Sequence, residues 1–279
     1  MSAIQEQPSF LVGVMHVNRD PWLSIVRDGQ LPSWAFDEYK NFEVIYFHSI
    51  SSVMSAKIDS LVENLRWNRG RYASYFISYV LMILLAPWRT LVPKAYESNE
   101  KLSGLKTNSL LTKIPEMTST MRWKKLAFLS YYLRNSNSDF VIITNSSSIL
   151  NFHPIVDFVK LKCDKDSPFY AGPIHLGYDG AFVSGSFTLM NRCAAELLVK
   201  KKNRIPVHVM DDIGFGTAFE YAGVVPIEFN GVIIDCEEDL IHYSKEDLLK
   251  LGHFRVKSGN LKSRNDVKLA KKLVEKMRA

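Results

Sequence analysis

The chain has 279 residues, 47% of them hydrophobic, which is enough apolar material for a substantial core and excludes a disordered chain. Thirty-five basic against 29 acidic side chains leave a formal charge of +6 and a pI near 9.0. That balance suits a phosphorylated ligand, an anionic membrane or nucleic acid and does not choose among them. Cys163, Cys193 and Cys236 are widely spaced with no CxxC pair, so neither a disulfide framework nor a zinc site is expected, and a reducing compartment fits best.

The opening MSAIQEQPSF lacks the basic and apolar regions of a secretory signal, so a cytoplasmic location is expected. Phe10–His16 reads as a first strand, with Gly13 permitting a close backbone approach. Asn18, Arg19, Asp20 and Pro21 form a turn and helix-start signal. In a nucleotide-binding α/β sheet the first strand and its loop commonly meet the base and ribose. His16 and Arg19 are therefore donor-binding candidates, a plain surface loop being the other reading. Phe42–Ser49 reads as a second strand, followed by a helix from about Ser51 to Leu65. Strand, helix, strand, helix is the pattern of a parallel sheet with crossovers.

Tyr72–Trp88, flanked by Arg69, Arg71 and Arg89, is the most apolar run. It is shorter than the roughly 20 residues of a spanning helix and contains two Ser and a Pro. It reads as a buried helix first and as a membrane-contacting segment second. Residues 94–115 are polar and irregular, and a loop is expected there.

Met121–Leu133 reads as an amphipathic helix feeding a central strand, Asp139–Asn151. That strand begins with Phe140, Val141, Ile142 and Ile143 and breaks into Thr144, Asn145, Ser146, Ser147 and Ser148. An apolar run ending in small polar residues reads as a buried strand presenting a polar tip, and in open α/β sheets ligands bind beyond such ends. A helix over Phe152–Lys162 and a return to the sheet at Ser167–Gly172 follow. Ala181–Met190 reads as one strand, in which Ser184, Gly185 and Ser186 give another molecule access to the backbone. A helix is expected from about Arg192 to Lys202.

Asp211 and Asp212 precede Ile213-Gly214 at a helix start, where carboxylates are favoured by the dipole and the free amides. They read as a capping pair or as a catalytic pair. In Gly252–Lys257, extended spacing places His253, Arg255 and Lys257 on one face. Arg meets phosphate oxygens bidentately and Lys adds a compact charge, so these three form a candidate diphosphate clamp; the bland reading is a basic edge strand. Val267–Ala279 is a basic amphipathic helix, packed on the core or laid on an anionic membrane. Basic residues are otherwise scattered and no nucleic-acid motif is present, so nucleic acid is not an expected partner.

The helix, the apolar strand with its NSSSILN tip, and the DDIGFG helix with its Gly-Val-Val-Pro exit resemble GT-A-fold glycosyltransferases, nearest the β-1,3-glycosyltransferase and Fringe-like group. The resemblance runs over roughly residues 114–231. It implies one α/β, GT-A-like domain over 1–279, with a mixed, mainly parallel sheet flanked by helices. The nucleotide-binding half would span about 10–151, the acceptor and catalytic half about 152–260, and the basic helix about 263–279. It implies that Asp212 is the general base of an inverting transfer, with Asp211 orienting it or serving as the alternative base, and that His242 is a further candidate, since GT-A enzymes often bring a C-terminal His to the diphosphate or metal. Lys124 matches, one residue out of register, a Lys that begins the family's helix before the central strand, and Ser184, Gly185 and Ser186 match its acceptor-pocket segment. Members of the group hold a divalent metal such as Mn2+ on an Asp-rich tip; here Asn145, Ser146 and Ser147 occupy those places. Neutral Asn and Ser are poor ligands for a hard cation, so no metal ligand is assigned and the tip is expected to bind donor without metal.

The expected function is therefore transfer of a sugar from a nucleotide-sugar donor to a hydroxyl of a glycan or glycolipid, as in polysaccharide biosynthesis, with peripheral contact at the inner face of a membrane. Two alternatives stand beside it. One is a metal-dependent transferase with Asp211 and Asp212 as ligands; the other is an inactive nucleotide- or glycan-binding protein.

Overall fold

The strands that open and centre the sequence are apolar at nearly every position because both of their faces are covered. Phe10–Met15 (β1) and Phe140–Asn145 (β5) pair in parallel, Phe10 opposite Phe140. Phe10, Val12, Val14, Phe140 and Ile142 enter one buried cluster, and Leu11, Val141 and Ile143 enter another. Gly13 has a steric reason: a Cβ there would sit 2.2 Å from the Phe128 ring.

The computed structural model describes residues 7–17, 21–35, 40–50, 95–98, 109–115, 120–177, 180–206, 209–258 and 264–279. Beyond β1 and β5, the main sheet takes in Phe42–Ile50 (β2), Ala95–Ser98 (β3) and Ser109–Pro115 (β4). The short Ser148–Leu150 (β6) leaves the tip of β5 for another sheet. Tyr170–Gly172 (β7), Phe187–Asn191 (β10) and Ile227–Glu228 (β11) complete the main sheet, and Ile174–Gly177 (β8) pairs with Gly180–Val183 (β9). The eight strands run in the order β11-β7-β10-β5-β1-β2-β4-β3. Those from β5 to β4 are mutually parallel, as are β11 and β7, while β10 and β3 run antiparallel to their neighbours. The protein is thus α/β with a mixed, mainly parallel sheet.

Helices cover both faces. Met121–Asn135 (α2), Arg192–Lys200 (α4) and Asp211–Glu220 (α5) supply Leu126, Phe128, Ala194, Leu198, Phe215 and Phe219 to one cluster. Phe152–Lys162 (α3), Lys245–Lys250 (α7) and Asp266–Arg278 (α8) supply Phe152, Ile155, Leu248, Leu269 and Leu273 to the other. A short turn, Trp22–Ser24 (α1), continues in π-helical winding over Ile25–Ala35, on which α8 packs. Glu237–Ile241 (α6) lies between Gly231–Ile234 (β12) and α7, and β12 pairs with His253–Val256 (β13), which pairs in turn with β6.

Two sequence expectations change. Residues 94–115 are not one loop: β3 and β4 lie within them, and β4 buries Leu110, Thr112 and Ile114 while Thr112 Oγ1 bonds Ser49 Oγ at 2.9 Å. The alternation of apolar residues in SLLTKI carries that strand despite its polar surroundings. Ala181–Met190 is two strands, because Ser184 turns the chain by donating its amide to Pro173 O and accepting from Phe187 N. The expected helix over 51–65 and the apolar run Tyr72–Trp88 lie outside the described residues. Among the described residues no helix is long and apolar enough to cross a membrane. The apolar side of α8 (Leu269, Ala270, Leu273, Val274) is buried against the core, not offered to a membrane.

Candidate functional site

From β1 the sheet grows through β2 and β4 on one side and through β5 on the other. The strand order reverses between β1 and β5, and a crevice opens outside their carboxyl ends, where ligands bind in open α/β sheets. A cavity of about 300 Å³ occupies that place. Its wall includes Met15 and His16 after β1, Asn145, Ser146 and Ser147 after β5, the turn Ser184–Ser186, and Asp211 and Asp212 at the start of α5.

The tip of β5 is built by internal hydrogen bonds. Asn145 Oδ1 accepts from Ser147 N at 3.0 Å, and Gln30 Nε2 donates to the carbonyls of Asn145 and Ser148 at 3.0 and 2.8 Å. Thr144 Oγ1 donates to Ser186 O at 2.7 Å, tying the tip to the turn that faces it. Ser184 and Ser186 share a hydroxyl contact of 3.0 Å. The tip is therefore a rigid, neutral shelf.

Asp211 and Asp212 receive different environments. Arg122 on α2 donates to Pro206 O and, at 2.6 Å, to Val209 O, which fixes the approach to α5. Lys125, one turn along α2, then forms an ion pair with Asp211 Oδ2, their side chains 2% and 12% exposed. Asp212 instead accepts from backbone amides, Oδ1 from Ile213 N at 2.9 Å and Oδ2 from Gly185 N at 3.2 Å. A Cβ on Gly185 would stand 3.1 Å from Lys125 Nζ and 3.3 Å from Asp212 Oδ2, so glycine lets the turn approach both groups.

The remaining charge in the wall is positive. Lys124, Lys125, Arg255, Lys257 and Arg264 line the cavity together with two carboxylates, Asp211 and Asp212. Arg264 pairs with buried Asp266, donates to Ser147 Oγ at 3.0 Å and lies 4.5 Å over the Trp22 ring. Burial and the neighbouring Arg264 pull the Arg255 guanidinium below its usual range, while Asp212 and Asp235 oppose that. Arg255 Nε is buried without a partner among the described residues.

A divalent cation fits this donor set poorly. Asn145 Oδ1 already accepts from the turn, Asp211 is matched by a buried lysine, and the five cations repel a further one. Among the described residues no three His, Cys, Asp or Glu side chains group as a metal site.

The structure brings most of the sequence candidates together: His16, Lys124, Asn145, Ser146, Ser147, Ser184, Gly185, Ser186, Asp211, Asp212, Arg255 and Lys257 all line the cavity. Lys124 does so from the interior, 1% exposed, with Nζ donating to His16 O at 2.8 Å. His253 is corrected. It is 1% exposed beneath the site, Nε2 lies 3.1 Å from Ser148 Oγ, and burial followed by the charge of Arg255 pushes its pKa down to about 3. Its ring supports the tip as a neutral group and is not part of a clamp; the strand is internal to a three-stranded sheet, so one of its faces enters the core. Arg19 lies outside the described residues, and His242 caps α6 at the surface, outside the cavity.

Sequence reasoning missed Lys125 and Arg264. The signal for Lys125 was three basic residues, Arg122, Lys124 and Lys125, among the apolar ones of MRWKKLAF, where solvation cannot serve all three. Arg264 gave no signal, since its place depends on Asp266 and Trp22. No protein-family model matches the chain, and no curated protein matches it.

Proposed function

We propose that this protein is a glycosyltransferase that moves a sugar from a nucleotide-sugar to an acceptor hydroxyl with inversion and without a divalent metal. The observation that supports it most is Asp212, a carboxylate held by the Gly185 amide at the switch-point crevice, in a wall otherwise rich in cations. In this reading Asp212 takes the proton of the acceptor hydroxyl. The oxygen bonds to the anomeric carbon as the bond from that carbon to the diphosphate breaks, and the electron pair leaves on the diphosphate. Arg255, Lys257 and Arg264 stabilise that developing charge, the task a metal performs elsewhere. Asp211, matched by Lys125, keeps the pair from repelling the leaving group with two uncompensated charges.

An inactive nucleotide-binding protein is the second reading, favoured by one observation: both Asp212 oxygens already accept backbone amides, one from Ile213 of α5 and one from Gly185 of the facing turn, as a structural tie would. The test is thermal stabilisation by nucleoside diphosphates and nucleotide-sugars, each with EDTA and with manganese, followed by product analysis. A nucleotide-specific shift that survives EDTA, with release of free nucleoside diphosphate, is expected. A shift requiring manganese overturns the metal-free mechanism, and a shift without turnover supports the second reading.

A further inference from the structure

Asp266 is the first residue of α8 and is 1% exposed. A carboxylate kept only to favour a helix start would bond the free amides of its own first turn. Asp266 bonds elsewhere. Its Oδ1 accepts from Ser258 N at 2.9 Å and from Ser258 Oγ at 2.8 Å. Its Oδ2 accepts from Arg264 Nε at 2.8 Å and from Arg264 Nη2. Both oxygens thus serve residues at the basic side of the cavity. Ser258 directly follows Lys257, whose amide donates to Ile234 O at 3.0 Å, so the backbone carrying Lys257 is held on both sides.

Arg264 is fixed from every direction the structure describes. Its side chain is 9% exposed, its guanidinium lies 4.5 Å from the Trp22 ring centre, and Nη2 also reaches Ser147 Oγ at 3.0 Å. The start of α8 is anchored in turn: a Cβ on Gly29 would stand 3.4 Å from Val267 Cα, and the next residue, Gln30, holds the β5 tip. Carboxylate, tip and cations therefore form one packed unit. Arg264 stands close enough to Arg255 for its charge, after burial, to lower that guanidinium's pKa. Like charges at such range repel, and a buried cation needs a partner. Asp266 supplies that partner before any anion binds.

We infer that Asp266 is the positioning residue of the diphosphate clamp, holding Arg264 and the strand end that bears Lys257 in the phosphate-binding arrangement in advance of the ligand. The basic C-terminal helix then serves the site and not only the core. This rests on the glycosyltransferase reading above in taking the anion to be a diphosphate.

The sign of one effect separates positioning from charge. Asp266→Asn removes a negative charge beside an anion site, so electrostatics alone would tighten anion binding. The amide keeps an oxygen for Ser258 but turns its Nδ2 on Arg264 and frees that side chain. Positioning therefore predicts weaker binding, by about 3–10-fold, the cost of ordering a side chain on association. The test is calorimetric titration of the full chain with inorganic pyrophosphate and with UDP, ADP, GDP and CDP, at a temperature where thermal melts show each variant folded. Pyrophosphate and the preferred nucleotide are expected to lose affinity by the same factor. Asp266→Asn added to Arg264→Met is expected to bring no further loss, because its effect passes through Arg264. In wild type with 15N-labelled arginine, the Arg264 Nε–H signal, assigned by its proximity to the Trp22 ring, is expected to be resolved and slow to exchange without ligand; this measurement depends on no variant. Affinity unchanged or raised by Asp266→Asn, or a rapidly exchanging Arg264 signal in the free protein, overturns the inference and leaves the transferase reading standing. A folded wild type that binds neither pyrophosphate nor any of the nucleotides removes both.

Discussion

Lys125 and Asp211 form an ion pair inside the cavity wall, joining the second turn of α2 to the first residue of α5. It assigns the two aspartates separate states: Asp211 is matched by a cation, and Asp212 is held by amides. Breaking a buried pair from one side leaves an uncompensated charge, at a cost of about 3–5 kcal/mol. Lys125→Met alone is therefore expected to lower stability by about that amount, and Lys125→Met with Asp211→Asn to recover most of it. Urea denaturation of the two variants and wild type gives the coupling, and additive losses would show that the pair is not formed in solution.

Asp212→Asn keeps an acceptor for the Gly185 amide and removes the base. Turnover is expected to fall by about 10²–10⁴-fold while nucleotide affinity stays near wild type and stability drops only by the one amide, Ile213 N, that loses its acceptor, about 1–3 kcal/mol. A fall in stability equal to that of a lost helix cap, with turnover intact, would return Asp212 to a structural role.

Gly185→Ala brings a methyl group to 3.1 Å from Lys125 Nζ and 3.3 Å from Asp212 Oδ2. The turn or both side chains must give way by a few tenths of an ångström. Misplacement at a reacting centre lowers turnover steeply, here by an expected ~10–100-fold, while the fold survives. Steady-state kinetics beside thermal melting separates the two effects.

Arg255→Met removes a guanidinium whose Nε is buried without a partner among the described residues. Hydrogen bonds to charged groups contribute about 1.5–3 kcal/mol, so pyrophosphate affinity is expected to drop by about 10–100-fold. Its dependence on salt should become shallower as well, measured by titration across ionic strengths.

His253 yields a pH prediction. Its folded pKa lies near 3 against an ordinary value of 6.5, so the unfolded chain binds the proton more readily. Stability from this group is complete above about pH 6.5, declines as the pH falls below it, and is lost on passing through about pH 3. The limiting size is roughly 4–5 kcal/mol. His16, lowered in the same direction, adds to the slope. Urea midpoints between pH 7 and pH 4 should fall less steeply for His253→Gln than for wild type, whatever the variant's stability at neutral pH.

Period and chemistry made much of this protein legible in advance. The apolar run of β5 specified a strand buried on both faces, and its abrupt change to Thr-Asn-Ser specified where the sheet ends. The spacing of Asp211 and Asp212 before Ile213-Gly214 specified a helix start. These are local properties: side-chain period and capping chemistry are expressed within a few residues of chain. The π-helical stretch over Ile25–Ala35 and the strands within residues 94–115 were not legible, the first because its residues carry no helical stripe and the second because two of the buried positions of β4, Ser109 and Thr112, are polar.

What the sequence determined, then, was the kind of element at most positions and the types of polar residue placed at element ends. Only the tertiary structure decided which of those groups meet. His253 and Arg255 share a strand face by spacing and both pair with β6, yet one is buried with its ring against Ser148 Oγ under the tip of β5 and the other borders the cavity. Lys124 and Lys125 are neighbours in sequence, yet one holds the His16 carbonyl and the other Asp211, 86 positions further along the chain. Partners at such separation are set by how helices pack on the sheet, and that depends on the shape of the whole core and on no local run of residues.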